Sequence, residues 1–215
     1  MTEPITWVLA PAGAYLLGAI PFAFLIGALC GVDLRKEGTG NVGAGNLTKV
    51  VGLPAGALAA NFDGLKGLVT VLLLRQAGVG PAVVSISGLA VVIGHNWSIF
   101  MRGRSGRGLA PSSGVLVGVD PSLIVWPGGW AIAGWKFGGG IGGFIGWASL
   151  PVVSAVFRRP APAVLAALGL GLLMLGRRMQ GNADAIPGVR AALYRAVFDR
   201  DPDGDVATAE EPISP

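Results

Sequence analysis

The chain has 215 residues, of which 52% are hydrophobic and only 13% charged, with a formal net charge of +4. That charged share is about half of what a soluble domain uses, too little to clothe a water-facing surface. Composition therefore excludes an ordinary soluble globular protein. It points to an all-α, polytopic integral membrane bundle in which small residues, including 36 glycines, let helices approach closely.

Residues 4–32, 76–101, 137–157 and 160–176 carry no Asp, Glu, Lys or Arg, and a run of roughly 20 apolar residues crosses a bilayer. The first run predicts a helix over about 6–30. It does not read as a signal peptide, because no basic region leads it and Gly27, Ala28 and Leu29 make a poor processing site. Cys30, at its end, is the single cysteine, which rules out an internal disulfide and a cysteine metal cluster. A lone thiol in an apolar span reads as packing.

Next comes "GTGNVGAGN", Gly38 to Asn46. Gly38, Gly40 and Gly43 satisfy G-x-G-x-x-G, but a dinucleotide fingerprint needs a preceding strand and a βαβ unit. Here a membrane span precedes it and another follows. What remains is a glycine turn with Thr39, Asn41 and Asn46 as hydrogen-bonding side chains and Arg35, Lys36 and Lys49 as cations. Such a turn can cradle phosphate through backbone amides, and it can equally be a flexible connector. The local residues leave both readings open.

A second span is predicted over about 50–74 and contains "NFDGLKG". Asp63 and Lys66, three apart, share one helix face and can neutralise each other. Charge inside a membrane segment is costly unless paired or wetted. The third span, about 79–101, ends in "GHNWSIF" with the sole histidine, His95, for which a packed or hydrogen-bonded role is the commoner one. "MRGRSGRGLAPSSG" follows, a second turn rich in glycine, hydroxyls and arginine. Its Arg104, Ser105, Gly106, Arg107 and Gly108 form a second phosphate-friendly loop. Residues 108–135 are apolar but broken at Asp120–Pro121, because the residue before proline avoids the helical region. Separate segments over 108–119 and 121–136 result. Helices over 141–157 and 161–176 complete seven segments. One domain spans 1–197, and the acidic, proline-containing residues 198–215 read as a disordered cytoplasmic tail.

Orientation follows from Lys and Arg. With the N-terminus outside, the inside segments hold Arg35, Lys36, Lys49, Arg102, Arg104, Arg107, Lys136, Arg177, Arg178, Arg190, Arg195 and Arg200. The outside loops hold Arg75, Arg158 and Arg159. The C-terminus therefore belongs in the cytoplasm, and both glycine loops face it. Positive charge here reflects topology and anionic headgroups, not nucleic acid, since no soluble module with interleaved aromatic platforms occurs. No G-x-S-x-G, H-E-x-x-H or Walker A sequence is present, which removes the ordinary hydrolase, protease and ATPase readings.

Taken together, "YLLGAIPFAFLIG", "GVDLRKEGTGNVGAGNLTKVVG", "DGLKG", "GHNWSIF", "SGRG" and "DPS" resemble the bacterial membrane acyl-phosphate:glycerol-3-phosphate acyltransferases of the PlsY type, over about residues 13–137. The resemblance implies seven membrane helices in the bacterial plasma membrane and an active site at the cytoplasmic face. It also implies transfer of an acyl chain from acyl phosphate to glycerol 3-phosphate, yielding lysophosphatidic acid for phospholipid synthesis. Acyl phosphate is an activated mixed anhydride, so no covalent nucleophile, cofactor or metal is expected; positioning and charge stabilisation suffice.

By match to the family motifs, Thr39 stands for a functional serine, Lys49 for an arginine and Arg107 for a lysine, while Gly38, Gly40, Asn41, Gly43 and Asn46 match directly. Thr39, Asn41, Lys49 and Arg107 are the expected catalytic group. Arg35, Gly38, Gly40, Gly43, Asn46, Arg104, Ser105, Gly106 and Gly108 are expected at substrate phosphate, and Asp63, Lys66 and His95 are expected to support them. The family's last helix ends in a segment with histidine, an acid and an asparagine. Here that stretch is "GRRMQGN", leaving Gln180 or Asn182 for the asparagine and nothing for the histidine. "GGGIGGFIGWAS" keeps little of a serine-bearing loop. These departures define the alternative: a non-catalytic paralogue that binds an anionic lipid or assists a membrane partner. A small-anion transporter fits less well, because the basic groups cluster at one face.

Overall fold

In hydrocarbon every backbone N–H needs an acceptor within its own segment, which is why charge-free runs fold as helices. The structure, a computed structural model, describes residues 3–134, 136, 139–182 and 185–202. Ten α-helices appear among them: α1 Glu3–Ala19, α2 Phe22–Leu29, α3 Ala44–Val50, α4 Leu53–Gln76, α5 Pro81–Asn96, α6 Leu109–Val119, α7 Val125–Gly134, α8 Gly139–Val156, α9 Ala161–Gln180 and α10 Val189–Phe198. Two short 3-10 turns, Ile99–Met101 and Pro121–Ile124, join them, and no strand occurs among the described residues. The fold is all-α, as the composition indicated.

Among the described residues, four stretches are long and apolar enough to cross a membrane: Pro4–Leu29, Leu53–Gln76, Pro81–Met101 and Ala161–Gln180. Their outward faces carry Trp7, Leu16, Phe62, Leu72, Leu165 and Leu172, all exposed. An apolar exterior this extensive belongs against lipid, not water. Within the bundle α5 is central, packing on α1, α4, α6 and α9. It approaches α1 by paired small residues: a Cβ at Gly18 would land on the Val91 carbonyl, and one at Gly94 on the Tyr15 carbonyl. The main core gathers Val71, Val91, Val92, Val115, Leu116, Trp147, Leu170 and Met174, all buried.

The structure revises the predicted elements in three places. The helix expected over 6–30 is broken at Pro21, whose ring and missing N–H disrupt the ladder. The carbonyls released there are captured from other helices. Lys66 Nζ donates to Gly18 (2.7 Å) and Ile20 (3.0 Å), and the Ser98 hydroxyl donates to Ala19 (2.5 Å). The start of the second span is a separate short helix, α3, set off by Gly52 at φ 129°. Helix α10 lies where no element was expected. Arg195, buried, docks it by donating to the Met179 carbonyl at the end of α9 (3.1 and 2.9 Å) and to the Ile186 carbonyl (2.9 Å), serving carbonyls that a helix end leaves unpaired.

The break at Asp120–Pro121 is a turn. The Asp120 carboxylate accepts from the Ser122 amide (3.1 Å) and hydroxyl (2.7 Å), so α6 ends before α7 begins. Of the proposed tail, Asp199 and Asp201 form ion pairs with Arg107, Arg178 and Arg195; residues 203–215 lie outside the described residues.

Asp63 and Lys66 are both buried and 2.9 Å apart, an ion pair by distance and not an aligned hydrogen bond. Lys66 thus balances a charge and caps a broken helix at once. Lys66→Met should cost roughly 3–5 kcal/mol, because it leaves Asp63 uncompensated. A clear drop in the melting midpoint in detergent is expected, and an unchanged midpoint would refute the role.

Candidate active site

The first glycine loop is held by one side chain. Asn46, buried at the start of α3, accepts from the Thr39 amide (2.8 Å) and donates to the carbonyls of Leu34 (3.2 Å) and Glu37 (2.9 Å). Gly38 sits at φ +60°, and a Cβ there would strike the Asn46 amide oxygen, so only glycine fits. The Gly40 amide is also spent inside the loop, on the Glu37 carbonyl (3.1 Å). Two amides of this turn are therefore satisfied internally. Asn46 itself is a structural rivet.

The second loop packs onto α5. Ser105 is buried, with its amide on the Asn96 carbonyl (3.2 Å) and its own carbonyl receiving Arg177 (3.0 Å). Arg177 also donates to the Gly181 carbonyl (2.7 Å), tying the loop to the end of α9. A Cβ at Gly106 would land on His95 Nε2. On the imidazole's other side, His95 Nδ1 lies 3.4 Å from Asp63. The two loops touch: the Cβ position of Gly43 is 3.8 Å from Gly106 Cα.

Between them opens a cavity of about 470 Å³, walled by α3, α4, α6 and α9. Asn41, Asp63, His95, Arg107, Arg178 and Asp199 supply its chemistry. Among the described residues, the Asn41 amide oxygen is shielded from solvent and has no hydrogen-bond partner. Arg107 pairs with Asp199 (2.7 Å), and Arg178 approaches the same carboxylate (3.6 Å) while donating to the Gly140 carbonyl (2.9 Å). A larger cavity, about 580 Å³, lies between α7 and α8 among Trp126, Trp130 and Phe157. Its one cation, Arg159, is paired with Asp120 (3.3 Å). Its apolar walls suit hydrocarbon and offer a phosphoryl group little.

Of the sequence-predicted residues, Asn41, Gly43, Arg107, Gly108, Asp63 and His95 line the smaller cavity. Lys66 stands behind Asp63. Gly38, Gly40, Asn46, Ser105 and Gly106 build the loops without lining it. Thr39 and Lys49 are exposed and outside the lining; the Thr39 amide donates to Asn46 and its carbonyl receives Asn182 (2.6 Å). Arg104 is exposed as well. Arg35 is committed to Asp33 by two side-chain hydrogen bonds (2.8 and 2.7 Å), and these hold the Asp33 carboxyl down to about 2. Gln180 accepts from the Trp97 indole (2.9 Å).

Sequence reasoning missed Arg178 and Asp199. Two adjacent arginines closing an otherwise apolar helix were a usable signal, but they were read only as topology markers. Asp199 was assigned to the tail.

Apolar helices around a glycine-walled cavity lined by two arginines and two carboxylates define a helical membrane protein with a polar site among its helices. The sequence matches the family model "Glycerol-3-phosphate acyltransferase" over residues 8–186. Glycerol-3-phosphate acyltransferase 2 of Moorella thermoacetica is 38% identical over 162 residues, covering 74% of this chain and 83% of that protein. The glycerol-3-phosphate acyltransferase of Rubrobacter xylanophilus is 34% identical over 181 residues, covering 84% and 83%. Among solved structures, the glycerol 3-phosphate form of the integral membrane acyltransferase PlsY (YgiH) matches with a TM-score of 0.77 at 28% identity, over 95% of this chain and 99% of that one. Its lysophosphatidic acid form matches with a TM-score of 0.73 at 31% identity, over 81% and 88%. The chain belongs to the glycerol-3-phosphate acyltransferase family.

The packing of the second loop on His95 is testable. Gly106→Ala should destabilise the protein by about 1–3 kcal/mol through overpacking. Gly45→Ala, in α3 with open space around its Cβ position, should stabilise by roughly 0.5–1 kcal/mol. Thermal melts in detergent read both, and equal effects would contradict the geometry.

Proposed function

We propose that this chain acylates glycerol 3-phosphate, with acyl phosphate as donor, in the bacterial plasma membrane. A hydroxyl oxygen of glycerol 3-phosphate attacks the acyl carbonyl carbon, and the bond from that carbon to the phosphate oxygen breaks. Inorganic phosphate leaves, the hydroxyl proton ends on it, and lysophosphatidic acid remains. Neither step needs a covalent enzyme intermediate, because the mixed anhydride is already activated; what the protein supplies is alignment and charge.

The observation that carries this reading is the meeting of both glycine loops at one cavity that holds Arg107 and the unpartnered Asn41 amide oxygen. Arg107 offers a planar, two-pronged grip on phosphate. Asn41 offers an acceptor to a glycerol hydroxyl, which would orient it for attack. Gly43 and Gly108 keep the walls low. The reading as a non-catalytic paralogue is not favoured: the named relatives are acyltransferases over most of their length, and the end of α9, though it lacks histidine, brings Arg178 into the cavity.

For topology we infer seven spans, counting α1 with α2 as one and α4 to α9 singly, with the N-terminus outside. The concentration of Lys and Arg in the 31–49 and 102–107 segments and after α9 supports it.

The purified chain, given acyl phosphate and glycerol 3-phosphate in detergent, is expected to release lysophosphatidic acid and phosphate in equal amounts. Arg107→Ala and Asn41→Ala should each lower kcat/KM, the former by about 100-fold. Absence of product with acyl phosphate would overturn the donor assignment, and product from acyl-CoA alone would replace it. Cys30, exposed and the only cysteine, tests orientation. A membrane-impermeant thiol reagent should label it in opened vesicles but not in intact cells, and labelling in intact cells would invert the topology.

A further inference from the structure

Of the two carboxylates that line the cavity, Asp199 meets Arg107 and Arg178, whereas Asp63 lies against Lys66 and His95. The Asp199 carboxylate sits between guanidiniums from two separate parts of the chain. Arg107, from the second glycine loop, meets Oδ2 at 2.7 Å and also donates to the Asp199 carbonyl at 3.3 Å. Arg178, from the last turn of α9, has Nε 3.6 Å from Oδ1. Arg178 is 7% exposed and cannot turn to water for its neutralisation. Carboxylate and phosphoryl oxygens are interchangeable partners for a guanidinium fork.

We propose that Arg107 and Arg178 together form the grip for a phosphomonoester dianion, and that Asp199 occupies this grip as an internal substitute which substrate must displace. This rests on the acyltransferase reading above and adds to it a phosphate ligand, Arg178, and a competitor, Asp199.

Charge supports the exchange. Two guanidiniums facing one carboxylate retain a net positive charge, so the pair is under-filled with Asp199 alone. A dianion in the same place neutralises both. Dianion and carboxylate together leave a surplus negative charge in a cavity with few other cations, so the two exclude each other. Geometry makes the substitute persistent and yet removable. Helix α10 is docked by the buried Arg195, which also pairs with Asp201 (2.6 Å). Asp199 itself follows the helix in a left-handed conformation, φ 59°, which a non-glycine residue adopts at some cost. Its side chain can therefore leave while α10 stays. Residue 199 lies beyond residues 8–186, the part that matches the family model.

The test uses the full chain in detergent and titrates it with inorganic phosphate by calorimetry, which needs neither donor nor turnover. Asp199→Asn keeps the shape and removes the charge. It should tighten phosphate binding by roughly two- to fivefold, the worth of one partly exposed ion pair, and lower KM for glycerol 3-phosphate by a similar factor. In the Asp199→Asn background, Arg178→Gln should abolish the gain and Arg178→Lys should keep part of it. Phosphate affinity unchanged or weakened in Asp199→Asn, with a wild-type melting midpoint, would overturn the proposal even if the enzyme makes lysophosphatidic acid. Tighter phosphate binding without any product would instead leave the clasp standing and remove the acyl-transfer reading.

Discussion

A lysine ammonium inside hydrocarbon is tolerable only if each of its donors has a use, and the arrangement of this bundle follows from how Lys66 meets that demand. Its ammonium pairs with Asp63 one turn away on α4 and caps the carbonyls of Gly18 and Ile20 where α1 breaks. Asp63 in turn faces His95 of α5. Three helices are thereby pinned at one depth by charge instead of by apolar contact, which among lipid tails gives little preference for one register over another. Because His95 also backs Gly106, the depth of this polar cluster sets the height of the second glycine loop.

The loops and the polar cluster form one construction. Asn46 fixes the first loop, Arg177 and Gly106 fix the second, and the glycines at 43 and 106 allow the two to touch. The resulting cavity has side chains already positioned by backbone contacts on their far sides. Arg178, for example, is held by the Gly140 carbonyl. Preorganisation of this kind is what acyl transfer asks of its catalyst.

Much of this was legible in the sequence, for local reasons. Runs without charge mark helices because nothing else survives in a bilayer, and Asp120–Pro121 marks a break because proline restricts its predecessor whatever surrounds it. The two glycine loops stood out by composition alone. Other features depend on partners distant in sequence. The interruption at Pro21 is affordable only because Lys66 and Ser98 reach its carbonyls, and neither contact leaves a local trace. Thr39 resembled a cavity residue by motif, yet its backbone is turned aside by Asn46 and Asn182. Arg178 and Asp199 were hidden by a general rule: basic residues after a span normally report orientation, and acidic residues near a terminus normally report solvation. The docking of α10 by Arg195, and by Arg178 on the Ala196 carbonyl, brings them together.

The three hydrogen bonds of Asn46 have a consequence for recognition. A glycine-rich segment is conformationally loose, and one that became ordered only around its ligand would weaken association by the entropy lost. Here an amide side chain closes the segment in advance, during folding. A ligand that met this loop would dock onto a finished surface instead of being wrapped, because the conformational freedom usually attributed to glycine is, in this loop, already gone.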